Sequence, residues 1–333
     1  MIYFESHHMN TAQQVLKTIF IKGIKIIFII IALLIISGYC YTIFKEHLHS
    51  FTTPTSIKST KIDDESMTYL TYGDPTHQPV IFLHGTGANG FIWEQTSLFL
   101  KEQGYYVIAL DVPPFGWTSV PKNQDYRKEV QSDRIIQLMK KLSITDPIIV
   151  GHSFNSKIAL QVAASYPSKK LIFVAPVLDY EVKKDKEIGF IGKLFSVSLL
   201  RDPLLSLFVN NTLLAKKILL SFMYKKDADI SSQLAMTVLP FNKKGVNHAY
   251  GEWFQEFFNE TSLVRDDLTL QTIKIPVRVM WGDKDTIAPI SNWAKLQLLS
   301  KDATVTTLEG VGHMPHLEGR DLFNKNLLQV IEK

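Results

Sequence analysis

Hydrophobic positions along the chain fall into three regimes. From Ile26 to Phe44, "IIFIIIALLIISGYCYTIF" runs for 19 residues without a charge. As a helix it rises about 28 Å, close to the roughly 30 Å of a bilayer's hydrocarbon core. Beyond it, short apolar runs rich in branched residues alternate with helix-period stretches such as 126–142 and 154–166. The runs are 67–73, 79–85, 105–111, 147–153, 170–176, 277–283 and 303–309. Several are nearly continuous in Val, Ile and Leu, as strands buried on both faces are. The alternation predicts a mostly parallel sheet with helices on both faces. From about Leu178 to Asp267 no strand signal occurs, only helical apolar clusters such as "PLLSLFV" and "YGEWFQEFF". This interval reads as a helical insertion over the sheet's carboxyl edge.

The expected organisation is an N-terminal segment over 1–50 with the anchor at about 26–44. A core follows over 51–178, then a lid insertion over 179–267, and the core closes over 268–333. Tyr39, Cys40 and Tyr41 stand where a cleavable signal would end in small residues, so an uncleaved single-pass anchor is expected. Lys17, Lys22 and Lys25 crowd its N-terminal side, while only Lys45 closely follows it. The positive-inside bias then puts the large C-terminal part outside the cytoplasm. If the anchor only positions the protein, removing residues 1–45 leaves a soluble, active remainder.

A chain of 333 residues with 46% hydrophobic and 20% charged residues suits a globular protein with an added apolar segment. A net charge of +4, with no basic tract interleaved with aromatics, does not point to nucleic acid. The single cysteine, Cys40, excludes an intramolecular disulfide. No ligand cluster implies a metal, and no motif implies a cofactor.

Open α/β sheets bind ligands beyond the carboxyl ends of their strands. The polar residues there, in order, are His84-Gly85-Thr86-Gly87, Asp111, Ser153, Asp285 and His313. A serine oxygen on a tight strand-to-helix turn, an imidazole to take its proton and a carboxylate to orient that imidazole make an activated nucleophile. The rivals are Asp283 and Asp111 for the acid and His316 for the base.

The order Ser…Asp…His, with "HGTGAN", "DVPPFGWTS", "GHSFN", "WGDKDTIAP" and "GVGHMPH" at successive strand ends, resembles the α/β-hydrolase family over about residues 60–333. The resemblance implies Ser153 as nucleophile, His313 as general base and Asp285 as its orienting acid. It also implies an oxyanion hole from the Thr86 and Phe154 amides, with His84 supporting that loop. Two positions depart from the family: Asn155 where the elbow's second glycine belongs, and Pro114 where a glycine is usual. Asn155 either fits or skews the turn.

Serine at the elbow leads away from the epoxide hydrolases and haloalkane dehalogenases, which use aspartate there. The expected activity is membrane-anchored hydrolysis of acyl or lipid esters through an acyl-enzyme, as in similar anchored monoacylglycerol hydrolases. A carbon–carbon bond hydrolase with the same triad, or a non-catalytic binding relative, are the alternatives. Between Lys183 and Lys226 nine Lys or Arg face three acids among Leu, Ile and Phe, which suits either anionic lipid headgroups or a solvated lid.

Overall fold

The computed structural model describes residues 2–48, 52–179, 196–209, 211–259 and 264–333. Its frame is an eight-stranded sheet in the order β1-β2-β4-β3-β5-β6-β7-β8. The strands are β1 (Lys58–Ile62), β2 (Glu65–Tyr72), β3 (Gln78–Leu83), β4 (Tyr105–Leu110), β5 (Ile148–His152), β6 (Lys170–Val174), β7 (Val277–Gly282) and β8 (Thr304–Leu308). β2 runs antiparallel to β1 and β4, and the other pairs are parallel. Sequence periodicity finds every strand except β1. Its "KSTKI" is polar and mostly exposed, and it is a strand because it pairs with β2, from Lys58 opposite Tyr69 to Ile62 opposite Glu65.

Side chains alternate across each strand. Ile81 and Leu83 of β3 join Ile149 of β5 and Phe173 of β6 on one face, under α3 (Lys128–Lys141) and α4 (Ser156–Ser165). Val80 and Phe82 join Val150, Ile172 and Val174 on the other, under α2 (Glu94–Glu102) and the C-terminal helix. Both faces are thus covered, which explains why the central strands read as unbroken apolar runs. The chain leaves β3 toward β4 and returns to β5 on β3's other side. That reversal opens a crevice between β3 and β5 at their carboxyl ends.

Between β6 and β7 the described residues are helical: α5 (Ser198–Val209), α6 (Thr212–Ser221), α7 (Ser231–Val238), α8 (Val246–Asn259) and α9 (Asp266–Thr272). Much of the apolar cluster "IGKLFSVSLL" lies outside the described residues, as do Lys183, Lys184, Lys186 and Lys193 of the basic surface. Arg201 does not contribute to that surface. Its side chain is buried and paired with Asp202 and with Glu252 of α8, at 2.8 and 2.7 Å. Three further helices complete the core: α10 (Trp293–Leu299), α11 (Pro315–Glu318) and α12 (Arg320–Glu332).

The N-terminal helix α1 (Ile2–Leu48) is longer than the apolar run alone predicts. Within it, Gln13–Lys45 is long and apolar enough to cross a membrane. Its leucines and isoleucines are largely exposed, yet Gly38 is buried where α1 meets α5.

Candidate active site

Three side chains far apart in the chain, Ser153, Asp285 and His313, meet beyond the strand ends. Ser153 follows β5 directly and sits at φ +54°, a left-handed conformation that a non-glycine residue adopts only when its surroundings impose it. What imposes it here is the junction: β5 is fixed between β3 and β6, and α4 starts three residues later. The turn is tight enough that a Cβ on Gly151 would come within 2.5 Å of Ala159 Cβ.

His313 lies in the loop after β8, with Nε2 2.8 Å from Ser153 Oγ and Nδ1 2.8 Å from Asp285 Oδ2. Asp285 follows β7, and its other oxygen accepts the Ile287 and Ala288 amides, both at 2.9 Å. A carboxylate only accepts, so Nδ1 carries the imidazole proton and Nε2 is left to accept from the serine hydroxyl. All three residues are buried. The arrangement can take a proton from Ser153 as its oxygen bonds to an electrophile, and return it to a leaving group.

Two contacts brace the imidazole that sequence reading did not assign. His152 Nε2 donates to the His313 carbonyl at 2.9 Å, and the His313 amide donates to the Phe222 carbonyl, just beyond α6, at 3.1 Å. The "GHS" triplet contains the first of these. Nothing local marks Phe222, which reaches His313 both through its carbonyl and through its ring, edge-on to the imidazole at 6.3 Å between centroids.

The loop after β3 comes to the same place. A Cβ on Gly85 would fall 2.6 Å from His152 Nδ1 and 3.2 Å from Ser153 Cβ, so only glycine lets the backbone entering Thr86 pass beside the serine. His84 Nδ1 donates to the Gly85 carbonyl at 2.7 Å, while Nε2 accepts the Val112 amide at 3.0 Å. That pattern requires a neutral ring, and burial lowers its pKa to about 4. Asn155 takes part as well. Its side chain is buried, and Nδ2 donates to the His84 carbonyl at 2.5 Å, tying the serine turn to the Thr86 loop. Asn155 has φ −72°, a conformation open to any residue, so the missing glycine does not skew the turn.

The rivals lie elsewhere. Asp111 accepts from the Gly90 and Trp117 amides and the Thr68 hydroxyl, and holds its loop rather than His313. Asp283 accepts the Gly310 amide at 2.7 Å and pairs with Lys284, as a turn former does. His316 stacks on Trp93 with ring centroids 4.3 Å apart, edge-on to His152.

Above the serine turn, α8 supplies an aromatic wall. Trp253 packs against Phe154 and Phe115 at 5.3 and 5.0 Å between centroids, with Tyr250 and Phe257 beside it. The cluster packs α8 directly onto the residue that follows Ser153.

The chain is 27% identical over 281 residues to Lipase 1 of Psychrobacter immobilis, covering 80% of each protein. It is 25% identical over 267 residues to human monoacylglycerol lipase ABHD6, covering 77% of this chain and 76% of that one. The crystal structure of a membrane phospholipase A, described as a bacterial virulence factor, superposes with a TM-score of 0.67 at 20% identity, covering 95% of this chain and 96% of that one. Residues 78–320 match the family described by the alpha/beta hydrolase fold. That match takes in β3, the crevice and all three side chains that meet there, and the chain belongs to the alpha/beta hydrolase fold family.

Proposed function

We propose that the protein is a membrane-anchored serine hydrolase that cleaves carboxylic esters, with acyl or lipid esters as substrates. The observation that carries this reading is the unbroken hydrogen-bonded chain from Asp285 through His313 to Ser153 on its left-handed turn. Ser153 Oγ attacks the ester carbonyl carbon as His313 Nε2 takes its proton, while Asp285 holds the ring and stabilises the imidazolium. The carbonyl oxygen, now negative, is held by the Thr86 and Phe154 amides, the second of which opens toward the N-terminal end of α4. Collapse breaks the bond to the alcohol, which leaves with the proton from His313. Water then attacks the acyl carbon as His313 takes its proton, and collapse breaks the bond to Ser153 Oγ, which recovers that proton from His313 as the carboxylic acid leaves.

The lipase names of the relatives and the aromatic wall of α8 both favour an acyl chain as the group bound beside Ser153. Anchoring rests on the apolar length of α1 and its exposed side chains, and the lysine asymmetry directs the hydrolase outside the cytoplasm.

A fluorophosphonate probe tests the reading. The full-length protein should label, and Ser153→Ala should abolish both labelling and ester hydrolysis, the latter by on the order of 10⁴-fold or more. A folded protein that fails to label, or a Ser153→Ala variant that still hydrolyses esters, overturns it.

A further inference from the structure

The contact between α1 and α5 has a depth. Gly38 is the contact point: a Cβ there would fall 2.5 Å from the Pro203 carbonyl oxygen and 2.6 Å from Pro203 Cβ. Ser206 Oγ lies 3.1 Å from the Gly38 carbonyl and 2.8 Å from that of Pro203, sharing its proton between them. A small residue at the crossing and a hydroxyl bonded across it are how helices pack in lipid. Gly38 stands six residues inside the C-terminal end of the apolar run at Phe44. Along a helix that is about 9 Å. If Ile26–Phe44 fills the hydrocarbon core, whatever touches Gly38 lies below its edge.

The chemistry of α5 agrees. Its two charged residues face inward: Arg201 is fully buried, bonding Asp202 and reaching Glu252 of α8, and His248 Nδ1 is 2.6 Å from Asp202. Ionic groups near lipid are held in this way, paired and turned to the protein. Outward face Val197, just before α5, and Leu199 on it, 46% and 62% exposed, and on α6 Leu213 and Ile218, 76% and 46% exposed, beside the exposed Lys216 and Lys217, whose ammonium groups reach toward headgroups on long apolar stems. In water such a face leaves apolar surface uncovered. Against acyl chains it is at home.

Resting on the anchor reading given above, we propose that α5 is a second membrane-embedded element: the lid is seated in the hydrocarbon layer of the bilayer beside α1, and substrate reaches Ser153 from the lipid rather than from water. The occupant of the exposed leucine face is the acyl region of a phospholipid bilayer.

Depth-dependent quenching tests this with the full chain in phosphatidylcholine vesicles containing spin-labelled lipids. The exposed Cys40, labelled with an environment-sensitive fluorophore, reports the anchor. In a Cys40→Ser background, Leu199→Cys reports α5 and Leu298→Cys, on the exposed side of α10, reports the core. All three positions are exposed, so labelling them leaves folding intact. The proposal expects Leu199→Cys to be quenched at least half as strongly as Cys40, and Leu298→Cys to resemble a water-soluble control. Gly38→Leu should weaken quenching at Leu199→Cys while the anchor stays inserted. An unquenched label at 199 beside a quenched Cys40 overturns the proposal, as does self-quenching that marks a copy-to-copy contact. An unquenched Cys40 overturns it together with the anchor reading. Fluorophosphonate labelling of the same vesicles reports the hydrolase reading independently.

Discussion

Asn155 does the work of joining two loops that must stay in register, the serine turn and the backbone at Thr86. Replacing it with Gly restores the family's usual elbow but removes the bond to the His84 carbonyl. We expect Asn155→Gly to lose about 1 kcal/mol of stability and, on the proposed mechanism, to lower kcat more than it changes KM, since it loosens the Thr86 loop beside Ser153. Thermal melting and ester kinetics together check this, and an unchanged kcat counts against the coupling. The buried histidines give a prediction in pH. His316 is buried against Trp93, neither ring nitrogen has a hydrogen-bond partner among the described residues, and burial lowers its pKa to about 3. As pH falls below the ordinary value of about 6.5, the unfolded chain takes a proton that the folded ring refuses until about 3, so stability falls across that window. His316→Phe, which keeps the stack, should therefore be more stable than the parent by about 2 kcal/mol at about pH 5 and close to it near neutrality. Melting curves at both pH values decide it. Equal acid sensitivity in the two proteins rules out His316 as a source.

Among the elements, the central parallel strands were open to sequence reading because they are buried on both faces and so rich in Val, Ile and Leu, whereas the half-exposed edge strand β8, "TVTTL", shows itself by its β-branched residues. The residues proposed to react were open for a related reason: they sit where strands end, at "GHS", "WGDKD" and "GVGHM". What could not be read are the ties between elements far apart in the chain. β1 is defined by its partner, Phe222 braces His313 through a carbonyl, and Lys243 is a lysine with nothing local to mark it. Lys243 stands after the turn at Leu239–Asn242, buried, and its ammonium donates to the Pro114 carbonyl at 3.2 Å, to that of Gly116 at 3.0 Å, and to that of Thr118. Pro114, one of the family departures, thus belongs to a loop that clasps the lid. Lys243→Met removes the charge and leaves three buried carbonyls unsatisfied, at a cost of about 3 kcal/mol or more. Its expected signature is a lower melting temperature with faster proteolysis of the lid, while Ser153 still labels. A variant that melts like the parent shows that the clasp contributes nothing.

For the whole molecule, the sequence treats α1 as a tether, and a tether can be cut without consequence. The packing argues otherwise. A line of contacts runs from Gly38 to Pro203 and Ser206, along α5 to Arg201, across to Glu252 on α8, and from Trp253 to Phe154 beside Ser153. Removing residues 1–48 strips α5 of its partner and exposes the side that holds Ser206 and Leu205, both now buried. The hydrogen bonds that join Asp285, His313 and Ser153 are made without α1, so fluorophosphonate labelling should survive in detergent. The acyl side should suffer, because α8 is no longer braced from behind. We expect the truncated protein to hydrolyse short soluble esters at a rate within about threefold of the parent, while its KM for long-chain esters rises by about tenfold, a loss of about 1.4 kcal/mol in binding. An acyl-chain-length series run on both proteins in the same detergent measures the difference. Parallel profiles would return α1 to the role of a tether. A selective loss at long chain lengths makes the anchor a working part of the acyl site, connected to Ser153 through the lid.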